Sequence, residues 1–131
     1  LGIASQLHFL GNVGDVPGLL SQLDIVVLPT WDRWRREGCP VALLEAMACG
    51  KACIATDVPG SRDIIEDGIS GMLVPPEDPD ALASAIRKLM ENPDLRQRLG
   101  DAARKRIEEH YTIEKEVSAH EKLYFELMGY S

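Results

Sequence analysis

Two carboxylates, Glu37 and Glu45, lie eight positions apart in this 131-residue chain, on either side of a helix start. Pro40 precedes an apolar run between them, and proline is favoured in the first turn of a helix. The first N–H groups of a helix have no acceptor within it, and the positive end of the helix dipole lies there too. The amides of Val41 and Ala42 are therefore predicted to bind a phosphate, as helix N-termini do.

The same two carboxylates flank this predicted anion site. Glu45 lies one turn after Val41 on the same helix face, about 6 Å along the axis at ~1.5 Å per residue. That separation matches the distance from a phosphate to its ribose. A carboxylate there can accept hydrogen bonds from both ribose hydroxyls. Glu37 precedes the helix and could accept hydrogen bonds from the group that a diphosphate carries. A sugar, a diphosphate and a ribose would then contact Glu37, the helix end and Glu45 in that order.

The segment from residue 37 to residue 67, EGCPVALLEAMACGKACIATDVPGSRDIIED, resembles the Glu-x7-Glu region of family four of the GT-B glycosyltransferases. The usual form there is EGFG or EGFP followed by xxLLEAMACGKPVIAT. The matching positions are Glu37, Gly38, Pro40, Leu43, Leu44, Glu45, Ala46, Met47, Ala48, Gly50, Lys51, Ile54, Ala55 and Thr56. FLGNVGDVPGLLSQLDIVVLPT upstream and EDGISGMLVPPEDPDALASAI downstream are also similar to the family, so the resemblance covers nearly the whole chain.

The resemblance implies a role for individual residues of this motif. Glu37 would be the catalytic-site residue that contacts the donor sugar, the amides of Cys39 and Val41 would meet sugar and phosphate, and Glu45 would hold the ribose. The turn at Gly11–Val13 would border the nucleobase. The donor-binding set is therefore Glu37, Gly38, Cys39, Val41, Ala42, Glu45, Gly11, Asn12 and Val13. Cys39 departs from the family, which commonly has phenylalanine at this position.

Short apolar runs alternate with helix signals through the first half of the chain. Four buried strands are predicted at Leu7–Leu10, Ile25–Leu28, Ala52–Ala55 and Gly71–Val74. Helices are predicted between them, one capped by Asp15 and one over Val41–Ala48 that closes at Cys49 and Gly50. This alternation predicts a parallel sheet with helices on both faces.

Helical spacing replaces this alternation after the turn Pro75-Pro76-Glu77-Asp78. Helices are predicted at about Pro79–Glu91, Pro93–His110 and Thr112–Met128, with the N-cap types Asp78, Asn92 and Thr112 before them. We expect one domain over residues 1–131, α/β to about residue 75 and helical from 76. The resemblance implies a Rossmann-like C-terminal domain of GT-B type, truncated at its start, with a last helix packing toward the missing half.

Composition narrows the classes of partner and compartment. The net charge of −7 repels phosphate backbones, so nucleic acid is not expected as a partner. A basic cluster interleaved with acidic residues is expected to be a solvated helix face, and its members are Arg96, Arg98, Arg104, Lys105 and Arg106. No apolar run approaches the ~20 residues of a membrane span. A cytoplasmic protein is expected, with membrane association only through the missing half.

Metal and cofactor signals are weak throughout the sequence. The cysteines and the histidines lack the spacing of metal ligands. These residues are Cys39, Cys49, Cys53, His8, His110 and His120. No G-x-G-x-x-G or Walker loop is present, which argues against a dinucleotide enzyme or a kinase. We expect no metal and no cofactor, the nucleotide sugar being a substrate. Lys51 follows a predicted helix C-terminus, where the dipole would stabilise a cation.

The resemblance implies retaining glycosyl transfer from a nucleoside diphosphate sugar, with the acceptor held by an N-terminal domain outside this chain. The basic residues that clamp the diphosphate would also precede it, so the chain alone is not expected to turn over. Two alternatives stay open: a sugar-nucleotide epimerase of the same architecture, for which only Glu37 is in place, and a non-catalytic nucleotide-binding module. Trp31 and Trp34, in an unusual lead into Glu37, could be aromatic plates for an acceptor sugar or loop anchors.

Overall fold

The computed structural model describes residues 2–31 and 40–129. A short 3-10 helix at Ala4–Gln6 precedes three strands and six helices in these ranges. In chain order the elements are α1 (Val16–Ser21), β1 (Ile25–Leu28), α2 (Val41–Ala48), β2 (Ala52–Thr56), α3 (Pro59–Ile64), β3 (Met72–Val74), α4 (Pro79–Glu91), α5 (Pro93–His110) and α6 (Ile113–Leu127).

The three strands form one parallel sheet in the order β1-β2-β3. Ile25 is level with Ala52 on one side of β2, and Ile54 is level with Met72 on the other. Every residue of β2 is buried, as expected for a central strand with helices on both faces. The predicted parallel sheet and α/β fold class are confirmed.

Successive side chains of β2 point to opposite faces and so enter two different cores. Cys53 and Ala55 pack with α2, whose Met47 is fully buried, and with the second half of α5. Ala52 and Ile54 pack with α4, whose Leu89 is also fully buried, and with the first half of α5. The strand therefore joins the helices of both layers.

Helix α5 lies close against the turn that ends α2. Its Gly100 is so near Gly50 that a Cβ there would lie 2.1 Å from the Gly50 carbonyl oxygen. Gly50 itself has φ +69, a conformation that glycine adopts without the usual steric cost. This pair of glycines sets how closely α5 approaches α2.

Two of the predicted N-caps form the expected side-chain bond. Asp15 Oδ1 accepts from the Gly18 amide at 3.0 Å, and Asp78 Oδ1 accepts from the Ala81 amide at 2.9 Å. Asn92 and Thr112 occupy N-cap positions without such a bond. The predicted helices α4 and α5 have the predicted bounds, and α3 is a further helix of six residues.

The strand predicted at Leu7–Leu10 is wrong. These residues form no strand, and their side chains are exposed, Phe9 being 96% exposed. A strand needs a neighbour that pairs with its backbone groups, and β1 is paired with β2 alone in the described part of the chain. The run is apolar, but no strand in the described part of the chain lies beside it to supply the pairing.

Helix α6 has no buried residue, although several of its exposed side chains are apolar, including Ile113, Val117, Tyr124 and Leu127. Packing of this helix toward a further domain stays a prediction. Among the helices of the described ranges, none combines the length and the apolar character required to span a bilayer.

Candidate functional site

The N-terminus of α2 has the local structure that the sequence predicts. Pro40, buried and extended, precedes the helix, and its carbonyl accepts from the amides of Leu43 and Leu44 at 3.0 and 3.2 Å. Val41 and Ala42 thus occupy the positions whose N–H groups have no acceptor within a helix, and both residues are exposed. The helix start is confirmed; phosphate binding there stays a prediction.

Burial fixes which face of α2 is presented to solvent. Leu43, Ala46 and Met47 are buried at 1% exposure or less and anchor one side of the helix in the core. Val41 and Glu45 are exposed and lie one turn apart, which places them on the same free face. This face therefore has the spacing that binding of a phosphate at Val41 and of a ribose at Glu45 requires, and that binding stays a prediction.

Three members of the predicted donor set, Glu37, Gly38 and Cys39, lie outside the described residues, as does Trp34. The roles inferred for them stay predictions. The described part of the candidate site consists of the α2 start with Glu45 and of the turn at residues 11–13.

The turn of Gly11, Asn12 and Val13 lies just before α1. Gly11 has φ +62, and Gly11 and Asn12 are exposed. The following helix is tied to α2 through the core, because Leu20 of α1 and Leu43 of α2 belong to one apolar cluster. Contact of the turn with a nucleobase stays a prediction.

Lys51 bonds to the C-terminal end of a helix rather than facing the predicted anion site. Its ammonium donates to the carbonyl of Ser21, the last residue of α1, at 3.0 Å. The structural interpretation of this residue is supported, with α1 as the partner helix instead of α2. A cation at this position is favoured by the negative end of the dipole.

The basic cluster on α5 also makes structural contacts. Arg96 donates to the carbonyls of Leu89 and Met90 at 2.7 and 3.0 Å, closing the end of α4. Arg106 donates to the Ile64 carbonyl at 2.6 Å and so fixes the end of α3. Arg104–Glu108 and Lys105–Glu109 form exposed ion pairs along the helix. The exposed pairs agree with the predicted solvated helix face, whereas Arg96 and Arg106 are partly buried and contact neighbouring helices.

Cys53 is excluded as a nucleophile by its surroundings. The side chain is fully buried on β2, and burial raises the pKa of its thiol from the ordinary 9.0 to about 12. The thiolate, which is the reactive form, is therefore negligible at neutral pH. Its role is packing in the core.

A cavity at the carboxyl ends of the strands was missed by the sequence analysis. It has a volume of about 310 Å³ and is lined by residues that follow β1 and β3, among them Trp31 and Glu77. The Trp31 indole N–H donates to Glu77 Oε1 at 2.9 Å, and the Thr56 hydroxyl donates to the Thr30 carbonyl at 2.9 Å. The signal that could have indicated it is the rule that open α/β sheets bind ligands at this edge.

Comparison with known proteins gives one family. The profile of "Glycosyl transferases group 1" matches residues 1–106. N-acetyl-alpha-D-glucosaminyl L-malate synthase of Bacillus anthracis is 33% identical over 128 residues, which are 98% of this chain and 32% of that protein.

Solved structures agree with that family. HepE of Anabaena in complex with UDP has TM-score 0.84 at 23% identity, over 98% of this chain and 34% of its own. The C-terminal domain of a group 1 glycosyl transferase, LpcC of Francisella tularensis, has TM-score 0.69 at 29% identity, over 82% and 53%. The predicted GT-B fold class is confirmed, and the chain spans about a third of the length of its relative from Bacillus anthracis.

Proposed function

Because the chain belongs to the glycosyl transferases group 1 family, we propose that it is the donor-binding domain of a retaining glycosyltransferase. The whole protein transfers a glycosyl group from a nucleoside diphosphate sugar to an acceptor. Residues 1–131 form one domain of that protein, and an N-terminal domain holds the acceptor. The protein acts in the cytoplasm.

The observation that carries this proposal is the exposed face at the start of α2. It combines the helix-end positions of Val41 and Ala42 with Glu45 one turn further along. Amides at a helix N-terminus suit a diphosphate, and a carboxylate at that distance suits the two hydroxyls of a ribose. Glu37, which precedes the helix in sequence, contacts the donor sugar in this proposal.

Transfer breaks the bond between the sugar and the diphosphate, so negative charge develops on the departing phosphate. Preorganised donors that face this charge lower the barrier because they need no rearrangement during the reaction. Helix amides here, together with basic residues of the remaining protein, supply that stabilisation. We therefore propose that turnover needs no metal and no cofactor.

The chain alone is proposed to be inactive. One helix end contributes only about half a positive charge, whereas a diphosphate carries several negative charges. The net charge of −7 also opposes binding. An acceptor must further be held in line with the donor and screened from water, and that requires the acceptor domain.

The test is a turnover assay on both forms of the protein. The whole protein and residues 1–131 are each incubated with UDP-, GDP- and ADP-sugars and a panel of acceptors, and products are separated from spontaneously hydrolysed donor. We expect one donor class to be used by the whole protein, a retained anomeric configuration in the product, and no transfer by residues 1–131. Transfer by residues 1–131 would place the catalytic groups elsewhere than proposed.

The same assay separates the two other function classes. A sugar-nucleotide epimerase would convert the donor sugar without an acceptor, so NMR of the recovered donor would show a second epimer. A non-catalytic module would bind the nucleotide and leave both donor and acceptor unchanged in the whole protein. Either result would replace the proposed activity while keeping the family's nucleotide-binding architecture.

A further inference from the structure

Helices α1 and α2 both end at the amino edge of the sheet, which is the edge opposite the start of α2. Helix α2 connects two parallel strands, so it begins at the carboxyl end of β1 and ends just before Ala52, the first residue of β2. Helix α1 ends at Ser21, shortly before Ile25 opens β1. The turn at Gly11–Val13 lies before the other end of α1, whose six residues span about 9 Å. The orientation of α1 therefore sets where this turn lies relative to α2.

Lys51 is fixed to the end of α2 through the backbone. Its amide donates to the Ala46 carbonyl at 3.1 Å, and the Gly50 amide donates to the Met47 carbonyl at 2.9 Å. These bonds close the helix with Gly50 at φ +69, the left-handed conformation that is common just after a helix. Ala46 and Met47 are fully buried, so α2 itself is held in the core. The Lys51 side chain thus extends from a well-anchored helix end.

Helix α1 has fewer anchors than α2. Leu20 is its one buried residue, and Val16 is partly buried against the same core cluster. A helix of six residues has little stability of its own, so its orientation depends on tertiary contacts. The Lys51 ammonium supplies one of these contacts by donating to the Ser21 carbonyl at 3.0 Å, across 30 positions of sequence. This bond joins the end of α1 to the end of α2, and the charge faces the negative end of the α1 dipole.

We propose that Lys51 is a positioning residue that keeps the Gly11–Val13 turn aligned with the start of α2 and thereby contributes to selection of the nucleobase. The proposal rests on the proposed function and on the predicted contact between this turn and the base. Lys51 does not touch the ligand, because the eight residues of α2, about 12 Å of helix, separate it from the Val41 amide. It acts through Ser21 and α1.

Loss of this bond has a selective consequence. In the proposed function the phosphates and the ribose bind at Val41 and Glu45, and the buried face of α2 anchors both positions whether or not α1 moves. Contact with the base alone depends on α1. Removal of the Lys51 donor should therefore weaken binding of the nucleotide with the preferred base, whereas a general loss of stability would weaken binding of every nucleotide.

The experiment measures the Kd of UDP, GDP and ADP by calorimetry for the whole protein and three variants. Lys51→Met removes the ammonium and keeps the aliphatic stem. We expect it to weaken binding of the preferred nucleotide about fivefold, which corresponds to one hydrogen bond, and to change the other two affinities less than about twofold. Lys51→Arg retains a charged donor and should restore most of the preference. Lys88→Met, at an exposed lysine of α4, should leave all three affinities unchanged.

A second readout follows the position of the turn without a ligand. The methyl NMR signals of Val13, identified with Val13→Ala, are compared between the whole protein and its variants. We expect Lys51→Met to shift these signals, and we expect Lys51→Arg and Lys88→Met to leave them close to their parent positions. Thermal melting of each variant establishes that the measurements are made on folded protein.

Three results would overturn the proposal: an unchanged base preference in Lys51→Met, an equal weakening of UDP, GDP and ADP, or Val13 signals that Lys51→Met shifts no more than Lys88→Met does. Failure of the proposed function has a separate signature, since none of the three nucleotides would then bind the parent protein. Base selection would fall with it, while the Val13 signals would still show whether Lys51 positions the turn.

Discussion

Replacing Gly100 by alanine tests the packing that holds α2 in place. A Cβ at Gly100 would lie 2.1 Å from the carbonyl oxygen of Gly50 and 3.0 Å from its carbonyl carbon. Both atoms are backbone, so no side-chain rotation can relieve the contact. Helix α5 or the turn after α2 must move by about 1 Å, because carbon and oxygen pack at ~3.2 Å or more.

The magnitude follows from two opposing effects. Overpacking a well-packed core costs about 1–3 kcal/mol, and a backbone clash lies at the upper end of that range. Alanine is favoured over glycine within a helix by ~0.8–1.0 kcal/mol, which offsets part of the cost. The net loss in unfolding free energy is therefore expected to be about 2 kcal/mol.

Urea denaturation followed by circular dichroism measures this loss directly, and Gly14→Ala provides the matched control. Gly14 has open space around its Cβ position and no positive φ. Alanine there is expected to change stability by less than ~1 kcal/mol, in the stabilising direction. If Gly100→Ala were as stable as Gly14→Ala, the close approach of α5 to Gly50 would be refuted.

Three other substitutions test the site and the core. Glu45→Gln in the whole protein should weaken nucleotide binding by about 1–3 kcal/mol in calorimetry, because one acceptor oxygen is lost. The control Glu116→Gln should have no effect. Unchanged nucleotide affinity in Glu45→Gln would remove Glu45 from the site. Glu37→Ala should reduce transfer far more than affinity for the nucleoside diphosphate, and equal losses would contradict its contact with the sugar. For Cys53, the raised pKa keeps the folded thiol protonated while the unfolded thiol ionises, so stability should fall from pH 9.0 toward about 12. The slope is about 1.4 kcal/mol per pH unit. Cys53→Ala should lack this slope in urea titrations at several pH values, and an identical slope would show that other groups cause it.

Features specified by neighbouring residues were predicted well. Asp78 with Pro79 and Asn92 with Pro93 mark the starts of α4 and α5, and both helices have the expected bounds. The signals are local because caps and prolines act within one helical turn. The wrong strand prediction at Leu7–Leu10 shows what local signals cannot specify. Its apolar side chains cannot provide the neighbouring strand on which β pairing depends.

The candidate site likewise has one part that neighbouring residues predict and one part that they do not. The start of α2 could be predicted because Pro40 and the spacing of Leu43, Ala46 and Met47 lie within two turns of the chain. The bond between Trp31 and Glu77 joins residues 46 positions apart, and only the pairing of the strands brings them together. No pattern in the sequence near either residue indicates that contact, so the cavity emerged only from the structure.

The proposed function depends on binding of the donor phosphates at the start of α2. A crystal structure of the whole protein with the nucleoside diphosphate of the donor it uses would show where those phosphates lie. We predict phosphate oxygens about 2.7–3.2 Å from the amide nitrogens of Val41 and Ala42, and ribose hydroxyls donating to the Glu45 carboxylate. A nucleotide bound at another element, with the start of α2 and Glu45 in contact with solvent alone, would contradict the account.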